Sequence, residues 1–165
     1  MVGSFYSNLS LKWVQVCGKK LYQDYLNTVS RCPFSSLRVE PFMEGAELAR
    51  LYLGADVAIS RAGAGTLSEL ALFGIPSVLV PYPYASFAHQ ERNAKAIQRL
   101  GGAVIVDQNK LTSDALGKAW LWWYESKERR ESAFHALRGW SVPDATQRVL
   151  KALIEAKDAF QNRSR

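Results

Sequence analysis

The feature that most constrains this chain is the stretch Val57-Ala58-Ile59-Ser60-Arg61-Ala62-Gly63-Ala64-Gly65-Thr66-Leu67-Ser68-Glu69-Leu70. It reads as the end of a short buried strand, a glycine turn, and a helix that opens at once. Gly63 and Gly65 let the backbone turn tightly and bring bare N–H groups close to a ligand. Thr66 and Glu69 stand at the T-x-x-E spacing of a capping box. A helix that starts this way turns unpaired N–H groups and a positive dipole end out of the turn, which suits a phosphate. The same residues also suit an ordinary capped helix after a turn.

The flanking sequence repeats this unit. Lys12 to Cys17 alternates and meets Gly18, as a strand ending in a turn does. Lys19 to Ser30 carries Leu21, Tyr22, Tyr25, Leu26 and Val29 at helical spacing, and Cys32-Pro33 breaks it. Leu37 to Phe42 is a second short strand, and Ala46 to Leu53 an amphipathic helix. Gly74-Ile75-Pro76 ends the central helix by the glycine-then-proline rule. Ser77 to Pro81 is a nearly continuous apolar run, as expected for a parallel strand covered on both faces. Tyr82 to Phe87 is a loop, Ala88 to Leu100 a helix stopped by Gly101-Gly102, and Ala103 to Asp107 a buried strand. A helical region runs from Leu111 to about Gly139, and Asp144 to Ala159 forms a last helix.

Strand and helix in alternation mean an α/β domain with a mostly parallel sheet. In such sheets ligands lie outside the carboxyl ends of the strands. Three loops fall there: Glu40 to Glu44, Ser60 to Thr66 and Pro81 to Gln90. These are expected to form one site.

Bulk properties bound the classes. The 165 residues suit one domain, and 48% hydrophobic with 22% charged residues is an ordinary globular composition. No run of about 18 apolar residues signals a transmembrane helix, and Met1 to Leu11 lacks the pattern of a signal peptide. Cys17 and Cys32 form neither a disulfide framework nor a metal spacing and suit a reducing compartment. The net charge of +6 fits anionic small molecules or an anionic membrane surface. Its basic residues are scattered, the Lys127–Arg130 cluster is mixed with Glu125, Glu128 and Glu131, and no nucleic-acid motif is present.

The chemistry-bearing motifs point one way. Gly63-x-Gly65-x-x-Ser68 nearly matches a dinucleotide fingerprint, but Ser replaces the third glycine. No acidic residue follows about 20 residues on, which disfavours a nicotinamide oxidoreductase. His89 and Gln90 open the next helix and can donate to and accept from sugar hydroxyls, or simply satisfy nearby backbone. A metal site is not expected, since His135 lies far along the chain from His89 and no Cys/His cluster exists. No other cofactor is indicated. The aromatic run Trp120, Trp122, Trp123 and Tyr124 is split by helical geometry over more than one face, as core packing or as a membrane-interface element.

Several ordered motifs carry a family resemblance. They are Ile59-Ser-Arg-Ala-Gly-Ala-Gly-Thr-Leu-Ser-Glu69, Gly74-Ile-Pro76, Leu79-Val-Pro-Tyr-Pro83, His89-Gln-x-x-Asn93-Ala94 and Gly101-Gly-Ala103. With Val39-Glu-Pro-Phe-Met43, Ala55-Asp56 and Pro143-Asp144-Ala145, they closely resemble the bacterial MurG family of glycosyltransferases over about residues 13 to 158. Members transfer N-acetylglucosamine (GlcNAc) to complete lipid II, the peptidoglycan precursor. Plant galactolipid synthases and the two-chain glycosyltransferase of N-glycan assembly are more distantly similar.

The resemblance implies a GT-B fold of two Rossmann-like domains, with UDP-GlcNAc held mainly by the C-terminal one. Carried over, Phe42 and Met43 lie on the uracil. The Ala64, Gly65 and Thr66 region binds the diphosphate at the helix start, Arg61 and Gly63 also contact the donor, and Glu69 takes the ribose hydroxyls. His89, Gln90 and Asn93 lie by the GlcNAc. The family's acceptor-binding domain, with its proposed base, has no counterpart here, nor does the glycine-rich loop that opens its C-terminal domain. The expectation is therefore a donor-binding half with no catalytic residue assigned. It would be cytoplasmic and would work with an N-terminal acceptor domain or chain at the inner membrane face. The alternative is a UDP-sugar or partner-binding module that catalyses nothing alone.

Overall fold

The computed structural model describes residues 11–29, 36–84 and 88–163. The expected bounds at Ser30, Cys32-Pro33 and Phe87 lie outside these. Strand β1 (Trp13–Val16) leads through a 3-10 turn (Lys19–Leu21) into α1 (Tyr22–Val29). Strand β2 (Leu37–Glu40), helix α2 (Gly45–Leu53), strand β3 (Ala58–Ser60) and helix α3 (Ala64–Phe73) follow. Then come β4 (Ser77–Leu79), α4 (His89–Arg99), β5 (Ala103–Ile105) and a 3-10 turn (Gln108–Lys110). Helices α5 (Ser113–Tyr124), α6 (Lys127–Trp140) and α7 (Ala145–Arg163) complete the chain.

All strand pairs are parallel. β1 pairs with β2 in the register Trp13 to Leu37, β3 with β4 as Ala58 to Ser77, and β4 with β5 as Ser77 to Ala103. The ladders form two separate sheets, β1-β2 and β3-β4-β5. Leu11 and Trp13 nevertheless pack on the same apolar cluster as Val57 and Ile59. Parallel strands joined by helices in this way build a Rossmann-like α/β layer.

Two apolar layers sandwich β4. Its side chains alternate with the period of two that strands impose. Leu79 faces a cluster with Leu67, Leu70, Ile75, Ile97 and Leu137. Val78 and Val80 face another with Val106, Ala119, Trp120 and Trp123. Every residue of β4 is buried, which is why its sequence is apolar but for Ser77.

Helix ends follow local rules. Gly74 adopts φ 72 and ψ 30, its N–H bonds the Ala71 carbonyl, and the Ile75 N–H bonds that of Leu70 at 2.8 Å. This is the Schellman pattern, and a glycine there avoids the left-handed penalty of a side chain. The helical region expected over 111–139 is two helices. Ser126 breaks it, because its hydroxyl accepts from the Arg129 N–H and caps α6. Among the aromatic residues of α5, Trp120 and Trp123 are buried while Trp122 and Tyr124 are exposed. The Trp123 indole N–H donates to the Ser77 carbonyl at 3.1 Å, tying α5 to β4.

Candidate functional site at the carboxyl edge of the sheet

The β3–α3 turn opens at the carboxyl end of β3, the edge strand of the three-stranded sheet. Gly63 is extended (φ −69, ψ 142) and α3 begins at Ala64. The first bond in that helix runs from the Leu67 N–H to the Gly63 carbonyl, at 3.0 Å. The Ala64, Gly65 and Thr66 N–H groups therefore have no partner within the helix. No side chain caps this end. The capping box expected at Thr66 and Glu69 is not formed. The helix starts earlier than the T-x-x-E spacing requires, and Thr66 is its third residue. The end is left as an exposed concentration of N–H donors and positive dipole.

The neighbouring loops are fastened around this end. The Gln90 Oε1 accepts from the Ala62 N–H at 3.3 Å and from the Tyr82 N–H at 3.0 Å. Asn93 Nδ2 donates to the Ala62 carbonyl at 3.2 Å. The first turn of α4 thus holds the turns after β3 and β4 together. Arg61 donates to the Val80 carbonyl at 3.0 Å and to Gln108 Oε1, and its guanidinium lies 5.7 Å from the Tyr82 ring centre. It bridges three loops. His89 is the exposed first residue of α4.

Phe42 and Met43 sit together after β2 but differ in burial. The Phe42 ring is half exposed, with Lys19 Nζ 5.1 Å from its centre, whereas the Met43 side chain is 6% exposed and turned inward. Glu69 lies exposed on α3, and the Tyr52 hydroxyl of α2 donates to its Oε2 at 3.0 Å. The Tyr52 ring rests against Phe73, centres 5.3 Å apart. Burial, helped by the Glu69 carboxylate, pushes the Tyr52 phenol up to about 12. The hydroxyl therefore stays a donor throughout the neutral range.

Three partners escaped the sequence reading: Lys19, Tyr52 and Gln108. Each reaches the site from a separate segment, and none carries a local motif. Among the described residues no cluster of three or more His, Cys, Asp or Glu could hold a metal ion. A shallow recess along β5 and α5, lined by Val104, Val106, Lys118 and Trp122 among others, includes none of the expected site residues.

The chain has counterparts in known proteins. Residues 5–149 match the glycosyltransferase family 28 C-terminal domain. The chain belongs to that family. A UDP-N-acetylglucosamine--N-acetylmuramyl-(pentapeptide) pyrophosphoryl-undecaprenol N-acetylglucosamine transferase of Desulforamulus reducens is 31% identical over 148 residues, 87% of this chain and 39% of that protein. The Aquifex aeolicus transferase of the same name is 44% identical over 101 residues, 61% of this chain and 28% of that protein. The crystal structure of Acinetobacter baumannii MurG superposes with a TM-score of 0.75 at 29% identity, covering 90% of this chain and 43% of that one. The glycosyltransferase of kitacinnamycin, at 23% identity and TM-score 0.63, shares the fold. The family 28 chain described here is thus a MurG-type C-terminal domain of GT-B architecture, spanning less than half the length of these relatives. Among its described residues no helix is long and apolar enough to cross a membrane.

Proposed function

We propose that this domain binds UDP-GlcNAc as the donor half of a lipid II-forming N-acetylglucosaminyltransferase. One observation carries the reading: an uncapped helix N-terminus at the ligand edge of a family 28 C-terminal domain. The Ala64, Gly65 and Thr66 N–H groups receive the diphosphate. Phe42 and the Met43 backbone flank the uracil, and Glu69 accepts from the ribose hydroxyls. Gln90 and Asn93 commit one polar atom each to the Ala62 backbone. They shape the GlcNAc pocket while His89 and the Gln90 amide N–H₂ face the sugar. Arg61 holds the loops that frame it.

In the reaction, an acceptor hydroxyl attacks the anomeric carbon of GlcNAc from the face opposite the phosphate. The bond to the UDP oxygen breaks, and configuration inverts. Negative charge grows on the leaving diphosphate, and the α3 N-terminus stabilises it without reorganising. The acceptor and the base that takes its proton come from an N-terminal domain or separate chain, at the cytoplasmic membrane face.

A second reading is a UDP-sugar- or partner-binding module without transfer of its own, which the uncapped α3 N-terminus would serve equally. Calorimetric titration with UDP, UDP-GlcNAc and NADH tests both. Binding of the uridine nucleotides alone is expected, and binding of NADH without UDP overturns both readings. Transfer assayed with and without a complementary N-terminal domain separates the two.

A further inference from the structure

Glu69 is on an exposed helical face, where a glutamate samples many rotamers. To receive two adjacent hydroxyls it must hold one orientation. Tyr52 lies on the preceding helix, its ring packed on Phe73 and against the core cluster around Leu70. Its hydroxyl reaches Glu69 Oε2 at 3.0 Å. A carboxylate has two oxygens, and a hydrogen bond to the ionised group is stronger than a neutral one. Resting on the donor-binding reading above, we propose that Tyr52 is a positioning residue for nucleotide recognition. Its hydroxyl fixes Oε2 of Glu69 and leaves Oε1 to accept from the ribose.

This makes nucleoside selectivity depend on a residue that does not touch the ligand. The chemical class selected is a ribonucleoside diphosphate, because only a sugar with vicinal hydroxyls gains from an oriented carboxylate. A nucleotide lacking both hydroxyls is indifferent to Tyr52.

The test is titration of wild type, Tyr52→Phe and Glu69→Gln with UDP and with 2′,3′-dideoxy-UDP. Tyr52→Phe keeps the ring packing. It is expected to weaken UDP about 3- to 10-fold, the scale of one hydrogen bond, and to leave dideoxy-UDP unchanged. Glu69→Gln, on the surface and harmless to folding, should show the same selective loss. In the double variant the two losses should be far from additive. Equal loss for both nucleotides in Tyr52→Phe, or no loss for either, overturns the proposal. If wild type binds both nucleotides equally, the positioning role falls while the donor reading stands. If wild type binds neither, the donor reading falls with it.

Discussion

Gly65→Ala separates what the fold needs from what the ligand needs. Gly65 is the second residue of α3, exposed, and a methyl group built on it meets nothing within 4 Å. Its backbone is ordinary helix, so the fold makes no demand for glycine there. A glycine in a helix costs about 0.5–1 kcal/mol relative to alanine. The substitution should therefore raise Tm by a few degrees at most, by about 2–4 °C per kcal/mol for a domain of this size. A diphosphate cradled by the 64–66 N–H groups has to come close to this Cα. A methyl group displaces it and weakens one charge-assisted hydrogen bond, worth about 1.5–3 kcal/mol. UDP affinity should fall about 10- to 100-fold. Calorimetry and a thermal melt of the same sample read both effects. A higher Tm with unchanged UDP affinity would refute a close approach of phosphate here. A lower Tm would refute the steric reasoning itself.

Gly74→Ala should be costly for the opposite reason. Its methyl group would lie 2.4 Å from Phe134 Cδ2 at a left-handed backbone position, so a loss of about 2–5 kcal/mol is expected in urea unfolding, and under 0.5 would contradict it. Trp123→Phe removes the donor to the buried Ser77 carbonyl, and a loss of at least about 1–3 kcal/mol should appear as a lower urea midpoint. Because the Tyr52 phenol is raised from 10.0 to about 12, the stability tied to its protonated form is complete below pH 10 and is lost as pH climbs toward 12. An absorbance titration at the phenolate band should show a late-ionising tyrosine that is absent in Tyr52→Phe.

The sheet and its ligand edge were legible because their signals are local. The nearly continuous apolar run at Ser77–Pro81 reflects a strand buried on both faces, and Gly74-Ile75-Pro76 a helix stop with its own hydrogen bonds. The capping box at Thr66 and Glu69 misled because the spacing is satisfied by residues already inside the helix. The break at Ser126 was hidden by the helix-forming residues on both sides. The loop fastening by Arg61, Gln90 and Asn93, and the Tyr52 contact, join segments far apart in sequence, and side-chain bonds of that kind leave no periodic trace. The motifs around the β3–α3 turn could be read; which of their side chains bond the neighbouring loops could not.

The division of the sheet has a thermodynamic consequence. Among the described residues from Leu11 to Pro41, around β1 and β2, none is fully buried, whereas β4 is buried throughout. Stability is therefore graded along the chain, and the β1–β2 unit opens locally at lower cost than the three-stranded unit. Phe42 lies two residues beyond β2, so on the donor-binding reading proposed above one wall of the nucleotide site belongs to the part that opens first. Nucleotide affinity then carries the fraction of molecules in which that unit is closed. Amide exchange around Val39 should slow in the presence of UDP, while exchange in β4 stays slow with or without it: on the donor-binding reading, the nucleotide completes the folding of its own site.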